Sequence, residues 1–313
     1  MIPENNLIIR EDLKNIISYN LPWQKLKNKN ILITGGTGFL GKKLISHLLK
    51  EPEYELTCVS RVNNESSGKV TWMRGDLSDL EFVESLDFSE YEQIFHLAWD
   101  GLPNRSAHYS QKNYNISVNL LQKIAKYKEI ELNITGSCLE YGDITGVINE
   151  EVRPDGASDF AKVKISLHKI IRELGIKYRW FRPFFIYGDG QSSQSLIPNL
   201  ISNLKSNSPI QIKSMSNSHD FICVEDVANA IVMTSRTSNS LGDFNLGTGV
   251  STAVGEIVEL FHQKFNIEFD MKYTKISGLA SNSKKLEQQI GWRPKFTGIA
   301  GIRNYYNQLD NYL

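Results

Sequence analysis

The 313-residue chain balances 35 Lys and Arg against 35 Asp and Glu, so it carries no overall field to recruit nucleic acid or an anionic membrane surface. Hydrophobic residues make up 41% of it, enough for a core in one large or two small domains, and no apolar run reaches membrane-spanning length. Cys58, Cys138 and Cys223 are too widely separated for a disulfide framework or a metal spacing, which points to a reducing cytoplasm and to no metal centre.

Residues 1–29 read as a helical arm: Leu13, Ile16, Ile17 and Leu21 follow helical spacing until Pro22 breaks it, without the pattern of a signal peptide. The apolar run Ile31-Leu-Ile-Thr34 then feeds a glycine turn, Gly35-Gly-Thr-Gly-Phe-Leu-Gly41, that opens an amphipathic segment ending near Lys50. Glycines at 35, 38 and 41 let the chain turn tightly, let a pyrophosphate approach main-chain N–H groups, and let the following helix sit close on its strand.

After the turn, strand patterns at Tyr54–Val59, Val70–Met73, Ile94–Ala98, Ile130–Thr135 and Tyr178–Phe181 alternate with helical ones at Gly41–Leu49, Leu80–Leu86, Tyr114–Tyr127 and Phe160–Leu174. Such alternation predicts an α/β fold, a parallel sheet covered by helices on both faces. Ser78-x-x-Glu81 reads as a capping box. Beyond Arg182 the pattern loosens around Pro183, Gly188, Gly190, Pro198 and Pro209, and a last helix is expected over Ile299–Leu309. The domain reading is therefore 30–182 for nucleotide binding and 183–313 for a smaller lobe, with segments near 220–247 returning to the first domain.

Ser60 and Arg61 end the second strand about 20 residues after the last glycine. A carboxylate there would hold a ribose 2′-hydroxyl, whereas serine followed by arginine suits a 2′-phosphate and favours NADP(H) over NAD(H). His96, inside an apolar strand, reads as a hydrogen-bonded structural histidine rather than a catalytic one.

Taken together, Thr34-Gly35-x-x-Gly38-x-x-Gly41 and the segments after it resemble the extended branch of the short-chain dehydrogenase/reductase superfamily, whose members act on nucleotide sugars. The resemblance runs from Asn30 to Pro294 and implies a Rossmann-type doubly wound sheet with a smaller C-terminal α/β substrate lobe, assembled as a homodimer. It assigns cofactor contacts to Gly35, Thr37, Gly38, Phe39, Leu40, Gly41, Ser60, Arg61, the pair Asp76-Leu77, the run Leu97-Ala98-Trp99, Lys164 and Pro183. Asp76 is equally suited to capping a turn. Asn115 matches the helix asparagine that positions the catalytic lysine through water, and Ser137 the hydroxyl that holds the reacting substrate oxygen.

The family's Tyr-x-x-x-Lys places both side chains on one helix face, where the lysine charge lowers the phenol pKa. Here the segment is Phe160-Ala-Lys-Val-Lys164, with the lysine present and the hydroxyl missing. Three explanations stand: a Tyr-to-Phe variant that traps a complex, a natural form that uses another acid such as Tyr141 or Tyr187, or a cofactor-binding protein without chemistry. Dehydratases of the family carry an Asp-Glu pair after the serine; Cys138 and Leu139 stand there and cannot perform that elimination.

Substrate contacts are expected from Ser137, Cys138, Tyr141, Phe185, Tyr187, Leu196 and His219, the last where an arginine ordinarily clasps the pyrophosphate. Lys205, Lys213, Lys275 and Arg303 are possible replacements. The resemblance implies NADPH-dependent reduction of a nucleotide-linked 4-keto-6-deoxyhexose in deoxysugar biosynthesis for surface polysaccharide, with a nucleotide-sugar epimerase as the alternative.

Overall fold

The computed structural model describes residues 29–309 except 52–53, 63, 67, 210–211, 213, 238–239 and 269–271; apart from Lys29, the predicted arm lies outside the described residues. Seven strands form one parallel sheet in the order β10-β7-β5-β4-β1-β2-β3. They are β1 (Lys29–Thr34), β2 (Tyr54–Ser60), β3 (Val70–Arg74), β4 (Gln93–His96), β5 (Glu131–Thr135), β7 (Lys177–Pro183) and β10 (Gly242–Leu246).

Helices cover both faces, because strands such as β4 are buried along their whole length and need apolar partners on either side. On one face α1 (Phe39–Leu48) packs with α6 (Val224–Ser235); on the other lie α2 (Leu80–Ser85), α3 (Ala107–Ile124) and α4 (Asp159–Glu173). The strand order reverses between β1 and β4, so the crevice beyond their carboxyl ends is where such sheets bind ligands.

The smaller lobe has its own core around Leu200, Phe221, Ile257, Phe261 and Ile302. It contains α5 (Leu196–Lys205), α7 (Val254–Lys264), α8 (Lys284–Ile290) and α9 (Gly298–Leu309), with β9 (Ser218–Cys223) paired between β8 (Phe185–Tyr187) and β11 (Ser251–Ala253). A two-stranded piece joins β6 (Gly146–Ile148) to β12 (Leu279–Ser281).

Three sequence expectations change here. Of the segments expected to return to the main sheet, only β10 does so; β9 joins the lobe's own sheet, while α6 packs back beneath the main one. The cap of α2 is Asp79, not Ser78: Asp79 accepts from the Glu81 and Phe82 amides, while the Ser78 amide and hydroxyl are already engaged by Asp76 at 2.9 and 2.8 Å. The helix after Trp99 also starts earlier than its apolar pattern indicates, at Ala107.

Asp220 locks the lobe to the main domain. Its fully buried carboxylate accepts from the amides of Thr248, Gly249 and Ser281 and from the Thr248 hydroxyl at 2.6 Å, tying the loop after β10 to β9 and β12. Asp220→Ala strands those three amides without an acceptor, and urea denaturation should show a loss of about 3 kcal/mol.

Candidate active site

At the end of β1 the chain turns through Gly35 at φ +78°, where the Gly38 amide donates to the Gly35 carbonyl at 3.0 Å. A Cβ on Gly41 would lie 2.1 Å from that carbonyl oxygen, and one on Gly35 would lie 2.6 Å from the Ala98 nitrogen. Only glycine lets α1 and the β4 end approach so closely. Gly38 caps α1 without a side-chain hydrogen bond, and the first turn holds no acidic residue, so its amides and dipole are left for an anion.

Beside this turn lies a cleft of about 230 Å³. Gly35, Thr37 and Gly38 line it from the turn, Ser60 and Arg61 from the β2 end, Asp76 and Leu77 from beyond β3, and Leu97, Ala98 and Trp99 from beyond β4. The residues fit a dinucleotide: a cradle that a Cβ would fill, free helix amides, and apolar walls. Phe39, Leu40 and Gly41 form the first turn of α1 directly after the glycine turn, and Pro183 is buried at the end of β7.

Cations gather at the β2 side. The Arg61 side chain is 62% exposed, 3.5 Å from the Asp100 carboxylate, which Lys112 also meets at 2.6 Å. The Lys112 hydrogen bond, with Arg61 adding charge, holds the Asp100 carboxyl below its ordinary range. Asp76 does cap a turn, through Ser78, and those hydrogen bonds lower its carboxyl too. The buried Ser60 hydroxyl accepts from the Val62 amide and the Asn64 side chain.

At the other end of the crevice, Lys164 on α4 donates to the Thr135 carbonyl at 2.7 Å, which fixes the helix against the end of β5. Its ammonium lies 3.7 Å from the Trp99 ring centre and 5.8 Å from that of Phe160. Burial lowers its pKa to about 7, opposed by the charge of Glu140. Phe160 is itself buried, edge-on to Trp99 with centroids 5.3 Å apart. His96 is neutral and structural in its surroundings: it bridges Thr34 at 2.8 Å and Ser117 at 3.1 Å, and burial with the nearby Lys164 charge pushes its pKa down to about 3.

Ser137 follows β5 and caps a short 3₁₀ turn, Cys138–Tyr141; its Oγ accepts from the Leu139 amide at 3.2 Å. The turn is held from below by Glu140, which is fully buried. Glu140 accepts from the Ser137 amide at 2.7 Å, Trp180 Nε1 at 3.1 Å and Arg182 Nε at 2.7 Å. Arg182 continues to Asp243 at 2.9 Å, and Asp243 to His168 at 2.9 Å. Of this network the sequence motifs single out Ser137; the pairing of Glu140 with Trp180 and Arg182 comes from the fold.

Several predicted residues are placed elsewhere. Cys138 is only 3% exposed, and burial pushes its thiol up to about 12. Tyr141 donates from the interior to Asn245 at 2.7 Å, its phenol likewise raised to about 12 by burial. Tyr187 is sealed in the lobe core among Tyr305 and Tyr306, and burial raises its phenol strongly. Cys138, Tyr141 and Tyr187 are thus all buried, and none of the three lines the cleft beside the glycine turn. Asn115 is exposed on α3 and accepts from Gln111 at 3.0 Å, away from Lys164.

Phe185 and His219 stack at 4.0 Å on the lobe side, with Leu196 partly buried at the start of α5. Burial lowers the His219 pKa, so this side chain brings no cation to a pyrophosphate. Of the replacements considered, Lys275 is paired with Glu256 at 3.1 Å and Lys213 lies outside the described residues.

The chain is similar to several nucleotide-sugar enzymes. It is 27% identical to a GDP-6-deoxy-D-talose 4-dehydrogenase of Aggregatibacter actinomycetemcomitans over 89% of this chain and 98% of that one. It is 24% identical to a dTDP-4-dehydro-6-deoxyglucose reductase of Escherichia coli, over 88% and 96%. Among solved structures, a tyrosine-to-phenylalanine mutant of UDP-glucuronic acid 4-epimerase from Bacillus cereus, in complex with UDP-4-deoxy-4-fluoro-glucuronic acid and NAD, superposes with a TM-score of 0.77 at 18% identity. That match covers 91% of this chain and all of the other, 100%. The profile of the NAD dependent epimerase/dehydratase family matches residues 31–247, and the chain belongs to that family.

Proposed function

We propose that the protein binds NADPH and a nucleotide-linked 4-keto-6-deoxyhexose and reduces the sugar carbonyl. The observation that carries the cofactor choice is the β2 end of the cleft, where Ser60 stands in place of a carboxylate and Arg61 and Lys112 supply two cations. A ribose 2′-phosphate complements that charge, whereas a bare 2′-hydroxyl gains little from it. The sugar class follows from Cys138 and Leu139, which remove the acid and base that elimination needs, and from the similarity to a 4-keto-6-deoxysugar reductase.

When bound, NADPH supplies the hydride. Ser137, placed at the end of β5, would hold the carbonyl oxygen, and Lys164, fixed on α4 by its bond to the Thr135 carbonyl, would hold the nicotinamide ribose. Phe160 occupies the position of the proton donor but has no proton to give. The chain therefore binds both ligands and turns over slowly.

Calorimetric titration should show NADPH binding about tenfold or more tighter than NADH, as expected from a charge-assisted contact of roughly 1.5–3 kcal/mol. Arg61→Ala should remove most of that preference; equal affinities in the unaltered chain would sink the assignment. An epimerase would instead catalyse without net consumption of NADPH.

Phe160→Tyr places a phenol one helical turn before Lys164, and stopped-flow reduction of 4-keto sugars should accelerate by about 10² to 10⁴-fold. No gain would remove position 160 from the chemistry.

Lys164 also makes a linkage prediction for the cofactor-free protein. Its folded pKa of about 7 lies below the unfolded value of about 10.4. Between those limits the unfolded chain binds more protons, so this contribution rises with pH and is absent below about 7. Denaturation curves across pH 6–10 should show the gain in the unaltered chain and not in Lys164→Met.

A further inference from the structure

The loop after β4 carries a cation that the motifs do not account for. Arg105 holds its guanidinium carbon 5.5 Å from the centre of the Phe160 ring. Its charge also reaches the Cys138 thiol beside Ser137. Arg105 has no ion-pair partner among the described residues, and the nearest acidic side chain of its loop, Asp100, is engaged by Arg61 and Lys112.

The loop is anchored on both sides of the arginine. Asp100 exchanges hydrogen bonds with the Asn113 side chain, its amide donating at 2.7 Å and its carbonyl accepting at 2.9 Å. Asn104 closes a turn onto the Gly101 carbonyl at 2.7 Å and accepts from the Ser106 amide at 3.0 Å. On the far side, Trp99 rests on Lys164. The exposed Arg105 and, in its protonated form, Lys164 thus converge on the Trp99–Phe160 pair, while Glu140, the carboxylate beneath, is committed to Ser137, Trp180 and Arg182.

A site with unopposed positive charge around an aromatic floor favours negative charge that develops on the substrate. We propose that Arg105 contacts the reacting sugar oxygen and donates the hydrogen bond that Phe160 lacks, acting as an electrophilic stabiliser in place of the phenol. This rests on the reductase reading. As the new C–H bond forms with the hydride from NADPH, the carbonyl π pair moves onto oxygen; Arg105 and Ser137 hold that oxygen, and it takes its proton from water.

The test uses four forms of the full chain: unaltered, Arg105→Ala, Phe160→Tyr, and both changes together, assayed by NADPH oxidation with 4-keto-6-deoxy nucleotide sugars. Arg105→Ala should lower kcat by about 10² to 10³-fold with little change in KM. In the Phe160→Tyr background it should cost less than about tenfold, because the phenol takes over the same oxygen. Equal losses in both backgrounds, or a rise in KM alone, overturn the proposal. No oxidation in any of the four forms overturns the reductase reading together with it.

A second readout needs no turnover. Phenylglyoxal modification of Arg105, followed by peptide mass spectrometry, should slow at least about fivefold with UDP-glucose, dTDP-glucose or GDP-mannose present. Failure of all three to protect removes Arg105 from the sugar site. Protection by UDP-glucuronic acid alone assigns it to a fixed carboxylate and overturns the oxyanion role.

Discussion

A single buried carboxylate sets the geometry on which the rest of the site depends. Glu140 is fully buried yet meets three donors from two places: the Ser137 amide on its own turn, and Trp180 and Arg182 on β7. Through Arg182 it reaches Asp243 on β10, so one charge fixes the loop after β5 to the two neighbouring strands. Burying such a pair is weak evidence of net stability, since desolvation offsets most of the attraction. Its consequence is positional: with every donor direction filled, Ser137 has one place to be.

That rigidity matters because the chemistry beside it lacks its usual acid. In the family's pattern a lysine acts through a tyrosine, shifting a phenol toward neutrality. With Phe160 present the Lys164 charge has no phenol to act on and instead faces the Trp99 ring. The aromatic packing keeps the shape of the site while removing its proton. The cations beside that ring pair are Arg105 on the loop after β4 and Lys164 on α4.

The parts of this structure that could be read from sequence are those fixed by short-range geometry. The glycine turn is legible because its glycines answer local demands: a positive φ at 35, and at 41 a place where a Cβ would lie 2.1 Å from the Gly35 carbonyl oxygen. The parallel strands were legible because burial on both faces leaves continuous apolar runs. Contacts between distant segments were not. Glu140 reads as one more acidic residue until β7 brings Trp180 and Arg182 to it, 40 and 42 residues away. Tyr187 follows the family's motif, yet its hydroxyl points into a core assembled from α9, more than a hundred residues later.

The same distinction separates the two ends of the crevice. The cleft for the dinucleotide is built from the ends of consecutive strands, where main-chain geometry dominates and sequence spacing translates into position. The sugar side is assembled from the loop after β4, the turn after β5, and the start of the lobe at Phe185 and His219, whose relative placement depends on tertiary packing. His219 shows the effect: an arginine there would carry charge into the crevice, but a half-buried imidazole stacked on Phe185 loses its proton to desolvation.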